Sequence, residues 1–190
     1  MRRSGRGGLD LAVGRRLHGQ GAFGGDHVGP NPTDRAKNGT KRSLLVDGNG
    51  GVLSVSLAGA NTHDAKLLAG TIADTIVGRP DAEAGAQHLC LDKGYDNPSG
   101  RTAAAAAGYV AHVRRIGEEK LGPAERKTHP ARRWVVERAG AWLNRCRAIL
   151  VRYNKKSANY LGLIQLAVSL LWYRRAVRLG PLSFPEDVLR

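Results

Sequence analysis

Two strand-like runs, Lys41 to Asp47 and Gly51 to Leu57, meet across Gly48-Asn49-Gly50, and no other stretch constrains the fold as strongly. Glycine and asparagine take the left-handed backbone of a tight reversal at little cost, so the junction predicts a β-hairpin. Leu53-Ser54-Val55-Ser56-Leu57 alternates apolar with polar, the pattern of a strand with one buried face. The chain must therefore build a sheet and cover it. Asn61-Thr62-His63-Asp64 supplies an N-cap and an acidic first turn, and Leu68, Ile72 and Ile76 follow at helical spacing, which predicts a helix of roughly three to four turns ending near Gly78-Arg79-Pro80. A strand over His88 to Leu91 comes next, then an alanine-rich helix opened by Pro98 and closed by Gly108, then a short strand over Tyr109 to Val113. From Ala131 to Leu179 the pattern predicts two long helices with a break at Tyr153 to Asn159. Residues 1–40 are rich in glycine, with one short strand at Leu9 to Val13. Strands alternating with helices around a hairpin make an α/β protein with a mixed sheet.

The remaining composition narrows the class. A chain of 190 residues with 42% hydrophobic content fits one domain with a real core and is not a disordered protein. Cys90 and Cys146 lie in apolar runs without metal-ligand spacing, which fits reduced, buried thiols and a cytoplasmic location. The N-terminus, Met1-Arg2-Arg3 followed by Ser and Gly, lacks the apolar stretch of a secretory signal. Tyr160 to Tyr173 is apolar but short, and Gln165 and Ser169 interrupt it; a membrane span needs about 20 residues, so a core helix is expected. The formal charge is +14, which points to a polyanionic partner. Residues 1–100 hold 12 Lys+Arg against 10 Asp+Glu, and residues 101–190 hold 18 against 6, so the second half carries the electrostatic footprint.

Two carboxylates stand out. Asp92 leaves the end of a predicted central strand, where open α/β sheets bind ligands, and Gly94 lets the backbone turn there. Glu137 lies on a helix whose other face, Trp134, Ala141, Cys146 and Ile149, reads as apolar. Two hard oxygen donors on rigid elements suit Mg²⁺, with Mn²⁺ able to substitute. A site that activates a nucleophile and stabilises a leaving oxygen through two ions draws on three or more carboxylates. Plainer roles compete: Asp92 as a strand-end turn cap, and Glu137 in an ion pair with Arg133 or Arg138. Arg138, Arg145 and Arg152 recur every seven residues, which on one helix keeps them on one side. With Arg133, Arg147, Lys155 and Lys156 they form a candidate surface for a DNA phosphate backbone, although Lys155-Lys156 also fits a solvated turn. Asp47 reads as turn chemistry and Asp64 as a helix-start residue. Trp142 and Trp172 read as core, and the six histidines show no paired metal spacing.

Several ordered segments carry a family resemblance. Gly29-Pro30-Asn31-Pro32-Thr33-Asp34-Arg35, Lys41-Arg42-Ser43-Leu44-Leu45-Val46-Asp47, Gly59-Ala60-Asn61-Thr62-His63-Asp64, Leu91-Asp92-Lys93-Gly94-Tyr95-Asp96 and Arg133-Trp134-Val135-Val136-Glu137-Arg138 resemble the DDE transposases of bacterial insertion sequences, in the insertion-sequence-five group. The resemblance implies an RNase H-like mixed sheet flanked by helices, with long C-terminal helices. Its domain would span residues 29–179, after a degenerate segment 1–28 and before a tail 180–190. It also implies that Asp92 is the second catalytic aspartate and Glu137 the catalytic glutamate. The activity implied is metal-dependent cleavage and strand transfer on double-stranded DNA, by a protein associated with the nucleoid and assembling as a homo-oligomer on DNA, with no membrane.

The upstream region departs from the pattern. The first aspartate of the family lies on a strand ahead of the Gly-Pro-Asn-Pro segment, and counting back from Gly29-Pro30 reaches Arg15, which cannot ligate a cation. Asp10 reads as the counterpart of an earlier family aspartate. The family's N-terminal helical region is also missing, so a truncated or inactive copy is expected. Three functions follow: a transposase domain or its remnant, a DNA-binding protein without catalysis, and a nuclease of the same fold.

Overall fold

The computed structural model describes residues 10–14, 18–21, 23–32, 37–78, 86–113 and 133–179. At its centre is β4 (Asn38–Asp47), which pairs antiparallel with β1 (Asp10–Gly14), β2 (His18–Gly21), β3 (Gly29–Pro30) and β5 (Val52–Gly59). β6 (His88–Leu91) lies parallel to β1, β7 (Val110–Val113) parallel to β6, and β8 (Val151–Arg152) parallel to β2. Among the described residues the sheet has eight strands, and its main path runs β7-β6-β1-β4-β2-β8. The helices are α1 (Asp64–Ala73), α2 (Pro98–Ala106), α3 (Arg133–Asn144), the short α4 (Arg147–Leu150) and α5 (Ser157–Leu179). A mixed sheet with helices on both faces matches the RNase H-like architecture that the resemblance implies.

Strand alternation sorts the core into two layers. Leu11, Val13, Leu45, Leu89 and Leu91 face α1 and α2, in one cluster with Leu68, Tyr95 and Ala104. Ala12, Leu44 and Val46 face the other way, against Val135, Val136, Ala139 and Leu143 of α3 and Tyr160 and Ile164 of α5; Cys90 packs at the edge of this layer. Because β1, β4 and β6 are covered on both faces, their residues read as near-continuous apolar runs.

The hairpin forms where the sequence places it. Asp47 Oδ1 accepts from the Asn49 amide at 2.8 Å and the Gly51 amide at 2.7 Å, and Gly50 sits at φ +89°, so Asp47 performs the turn chemistry read from the sequence. Helix α1 is shorter than expected. It stops at Ala73, where Asp74 takes a non-helical conformation and its carboxylate is held by the Ser56 hydroxyl at 2.5 Å; Ile76 lies beyond and is exposed. Asp64 begins α1 as expected and is also buried, 3.0 Å from the Lys41 ammonium. The two C-terminal helices expected around a break form, with 12 and 23 residues, and the break between them begins earlier than expected, after Asn144. Between them lie α4 and β8, because pairing of Val151 and Arg152 with Gln20 and Gly21 draws the chain back to the sheet. Among the described residues, no helix is long and apolar enough to cross a membrane.

Candidate active site

Asp92 sits at the C-terminal end of β6, half-buried. Its carbonyl accepts from the Tyr95 amide at 2.9 Å, closing a one-turn 3₁₀ segment over Lys93–Tyr95. Tyr95 is buried beneath this turn, and Asn97 caps α2 by accepting from the Gly100 amide at 2.7 Å. The segment is thus anchored on both sides of Asp92, as a ligand position requires.

Glu137 projects from the exposed side of α3. The buried side of that helix is Val135, Val136, Ala139 and Leu143, a correction to the sequence reading. Trp134 and Ala141 are exposed and Trp142 stands at the surface rim. Trp172, also read as core, is another rim residue; its indole N–H donates to the Val52 carbonyl at 2.8 Å. Helix α3 packs on β1 and β4 through the layer that holds Ala12 and Cys90. Asp92 follows directly on β6, two residues after Cys90. Glu137 itself stands on the side of α3 turned away from that layer.

The β1–β6 register fixes what else reaches this end. Asp10 pairs with His88 and Val13 with Leu91; Gly14 closes β1 and Asp92 follows β6. Asp10 lies four residues back, about 13 Å along the strand at about 3.3 Å per residue. Arg15 falls outside the described residues. Among the described residues, no group of three or more His, Cys, Asp or Glu side chains is placed to hold a metal ion.

The basic side chains divide into two groups. Arg145, Arg147, Lys155 and Lys156 are exposed. Arg133 opens α3, with its side chain outside the described set. Arg152, expected on the DNA face, is instead 1% exposed and donates to Thr40 Oγ1 at 2.8 Å, the Asn154 carbonyl at 2.8 Å and the Lys155 carbonyl at 2.9 Å. Arg138 is half-buried; its Nη2 donates to the Asn49 carbonyl at 2.8 Å, and its guanidinium lies 4.7 Å from the Trp134 ring centroid and 5.4 Å from that of Trp142. The expected seven-residue stripe is therefore absent, for a physical reason. Helix α3 ends at Asn144, Arg145 falls in the following turn, and Arg152 belongs to a strand.

Sequence reasoning missed Arg42, which is 1% exposed in β4 and donates to the Ile149 carbonyl at 3.4 Å and Asn144 Oδ1 at 2.9 Å. It ties the end of α3 and α4 to the sheet. Its only signal was a charged residue inside a strand run covered on both faces. Burial lowers the pKa of the Arg42 and Arg152 guanidiniums and raises that of the Tyr160 hydroxyl between them. Exposed Arg174 and Arg178 near the end of α5 also escaped the sequence reading.

Comparison with known proteins identifies the family. The profile described as "Transposase DDE domain" matches residues 13–172. A Burkholderia cepacia protein assigned as the transposase for insertion sequence element IS402 is 31% identical over 160 residues, covering 78% of this chain and 70% of its own length. The matched region takes in β6 with Asp92 and α3 with Glu137, and the chain belongs to the DDE-domain transposases of insertion sequences.

Proposed function

We propose that this DDE transposase domain binds the phosphate backbone of double-stranded DNA beside α3, and that Asp92 and Glu137 are the surviving carboxylates of a cleavage centre that is now incomplete. DNA transposition is the function of the family, and its members use divalent metal ions. Carboxylate oxygens at Asp92 and Glu137 suit Mg²⁺ or Mn²⁺, and a bound ion would supply charge stabilisation at a phosphodiester. The described donors nevertheless stop short of the three or more carboxylates that a two-ion centre uses. Among the described residues, the donors do not fit the full metal complement.

The observation that carries the proposal is the exposure of Arg145 and Arg147 directly after α3, and of Lys155 and Lys156 just before α5. These cations are open to solvent in a chain of net charge +14. Phosphate contacts of this kind position a duplex without reading its sequence. The proposed DNA face keeps Arg133 from the sequence reading. Arg152 is omitted because its guanidinium is consumed internally, and Arg138 because it is turned toward the hairpin.

Two measurements test the reading. Fluorescence anisotropy with an unrelated duplex should show binding that weakens steeply as salt rises; salt-independent affinity contradicts the electrostatic face. Nicking of supercoiled plasmid in Mg²⁺ or Mn²⁺ should remain at background. Metal-dependent nicking by the unmodified chain that disappears in Asp92→Ala would show a complete centre and refute its impairment.

A further inference from the structure

We infer that Phe23 and Tyr153 form a stacking platform for unpaired DNA bases, beside the lysines that hold the phosphate backbone. The inference rests on the DNA face proposed above and adds the class of DNA it takes, a duplex that carries a single-stranded stretch.

Tyr153 follows directly on β8, and Phe23 comes two residues after β2; the two strands are parallel neighbours, with Gly21 paired to Arg152. Both rings therefore leave the same end of the sheet. They touch, with centroids 5.9 Å apart and planes tilted by 44°, yet they remain 62% and 63% exposed. A single exposed aromatic is ordinary. Two in contact, carried out by neighbouring strands, present a pair of π faces to solvent.

The backbone beneath them is fixed. The Arg152 guanidinium donates to Thr40 Oγ1 at 2.8 Å and to the carbonyls of Asn154 and Lys155 at 2.8 Å and 2.9 Å. Thr40 Oγ1 in turn donates to the His27 carbonyl at 2.9 Å, and the Asp26 amide donates to the Lys155 carbonyl at 3.2 Å. One buried guanidinium and one hydroxyl thus tie the loop bearing Phe23 to the loop bearing Tyr153, so little ordering is left for a ligand to impose. Lys155 and Lys156, just beyond Tyr153, are exposed. Cations for phosphate beside aromatic rings for base faces are the chemistry of single-strand binding. In a continuous duplex each base is already stacked on its neighbours, so the rings gain a partner without an unstacking cost only where bases are unpaired.

The test is fluorescence anisotropy at fixed salt with a blunt duplex and with the same duplex extended by a short oligothymidine overhang. The overhang should tighten binding by about tenfold, the contribution of roughly one stacked base. Phe23→Ala and Tyr153→Leu should each remove most of that gain while leaving blunt-duplex affinity and its salt slope unchanged. Tyr153→Phe should keep the gain, because the ring remains. Equal affinity of the parent for both probes, a gain that survives Phe23→Ala and Tyr153→Leu, or a loss in those variants that falls equally on blunt and extended DNA overturns the inference. A fluorescent aminopurine base in the overhang gives a readout on the unmodified chain. Stacking on a ring should quench it on binding, and unchanged emission at saturation refutes the platform. Blunt-duplex binding without an overhang gain fails this inference alone; no binding to either probe fails the DNA face as well.

Discussion

Tyr160 is fully buried, and its hydroxyl donates to the Ile149 carbonyl at 2.7 Å while the Arg152 guanidinium lies 5.4 Å from its ring centroid. Burial raises its pKa from the usual tyrosine value, with Arg42 and Arg152 opposing the rise. The folded state therefore holds this proton more tightly than the unfolded chain. Stability from this group is fully present below the unfolded pKa of about 10 and is lost as pH rises through the folded value. Denaturant melts at increasing alkalinity should show this decline. Tyr160→Phe should flatten it while lowering stability near neutrality by about 1 kcal/mol for the lost hydrogen bond; an unchanged alkaline slope would assign the titration elsewhere. Arg138 gives a second prediction at this scale. Its contacts are the Asn49 carbonyl and two indole rings, so Arg138→Gln should cost about 1–2 kcal/mol of stability yet leave the salt dependence of DNA binding unchanged. A shallower salt slope would restore Arg138 to the DNA face.

Among the elements, the entry to α5 is the joint most sensitive to a single atom. The Asp26 amide donates to the Lys155 carbonyl at 3.2 Å, and a Cβ on Gly25 would lie 2.2 Å from that carbonyl oxygen, at φ +112°. Since the obstacle is backbone, Gly25→Ala should destabilise by more than about 2 kcal/mol, and thermal unfolding would report it; a shift within error would mean the loop can part from α5 freely. The same region shows where sequence reading stops. The hairpin and the β6–Asp92 segment were legible because their signals are local: glycine and asparagine in a turn, a four-residue apolar run, a proline opening a helix. Strand β8 was not legible, because two residues become a strand only by pairing with Gln20 and Gly21. Burial of Arg152 was hidden likewise, since its partner Thr40 lies 112 residues away. A heptad of arginines is helical evidence only while the helix continues, and α3 ends at Asn144.

For the whole molecule, charge and site point the same way but carry different functions. Residues 101–190 hold 18 basic against 6 acidic residues, and this field attracts any duplex regardless of whether the carboxylates can complete a metal site. Binding and cleavage are therefore separable by substitution. Each phosphate-contacting cation contributes about one unit to the slope of log affinity against log salt concentration. Lys155→Gln with Lys156→Gln should reduce that slope by about two if both lysines touch phosphate. Asp92→Asn removes a negative charge near the proposed DNA path, so its affinity should equal or exceed that of the parent, with the slope preserved. Loss of binding in Asp92→Asn with the fold intact would contradict this separation. If the double lysine change left the slope untouched, the DNA face would lie elsewhere, with exposed Arg174 and Arg178 on α5 as the next cations to replace.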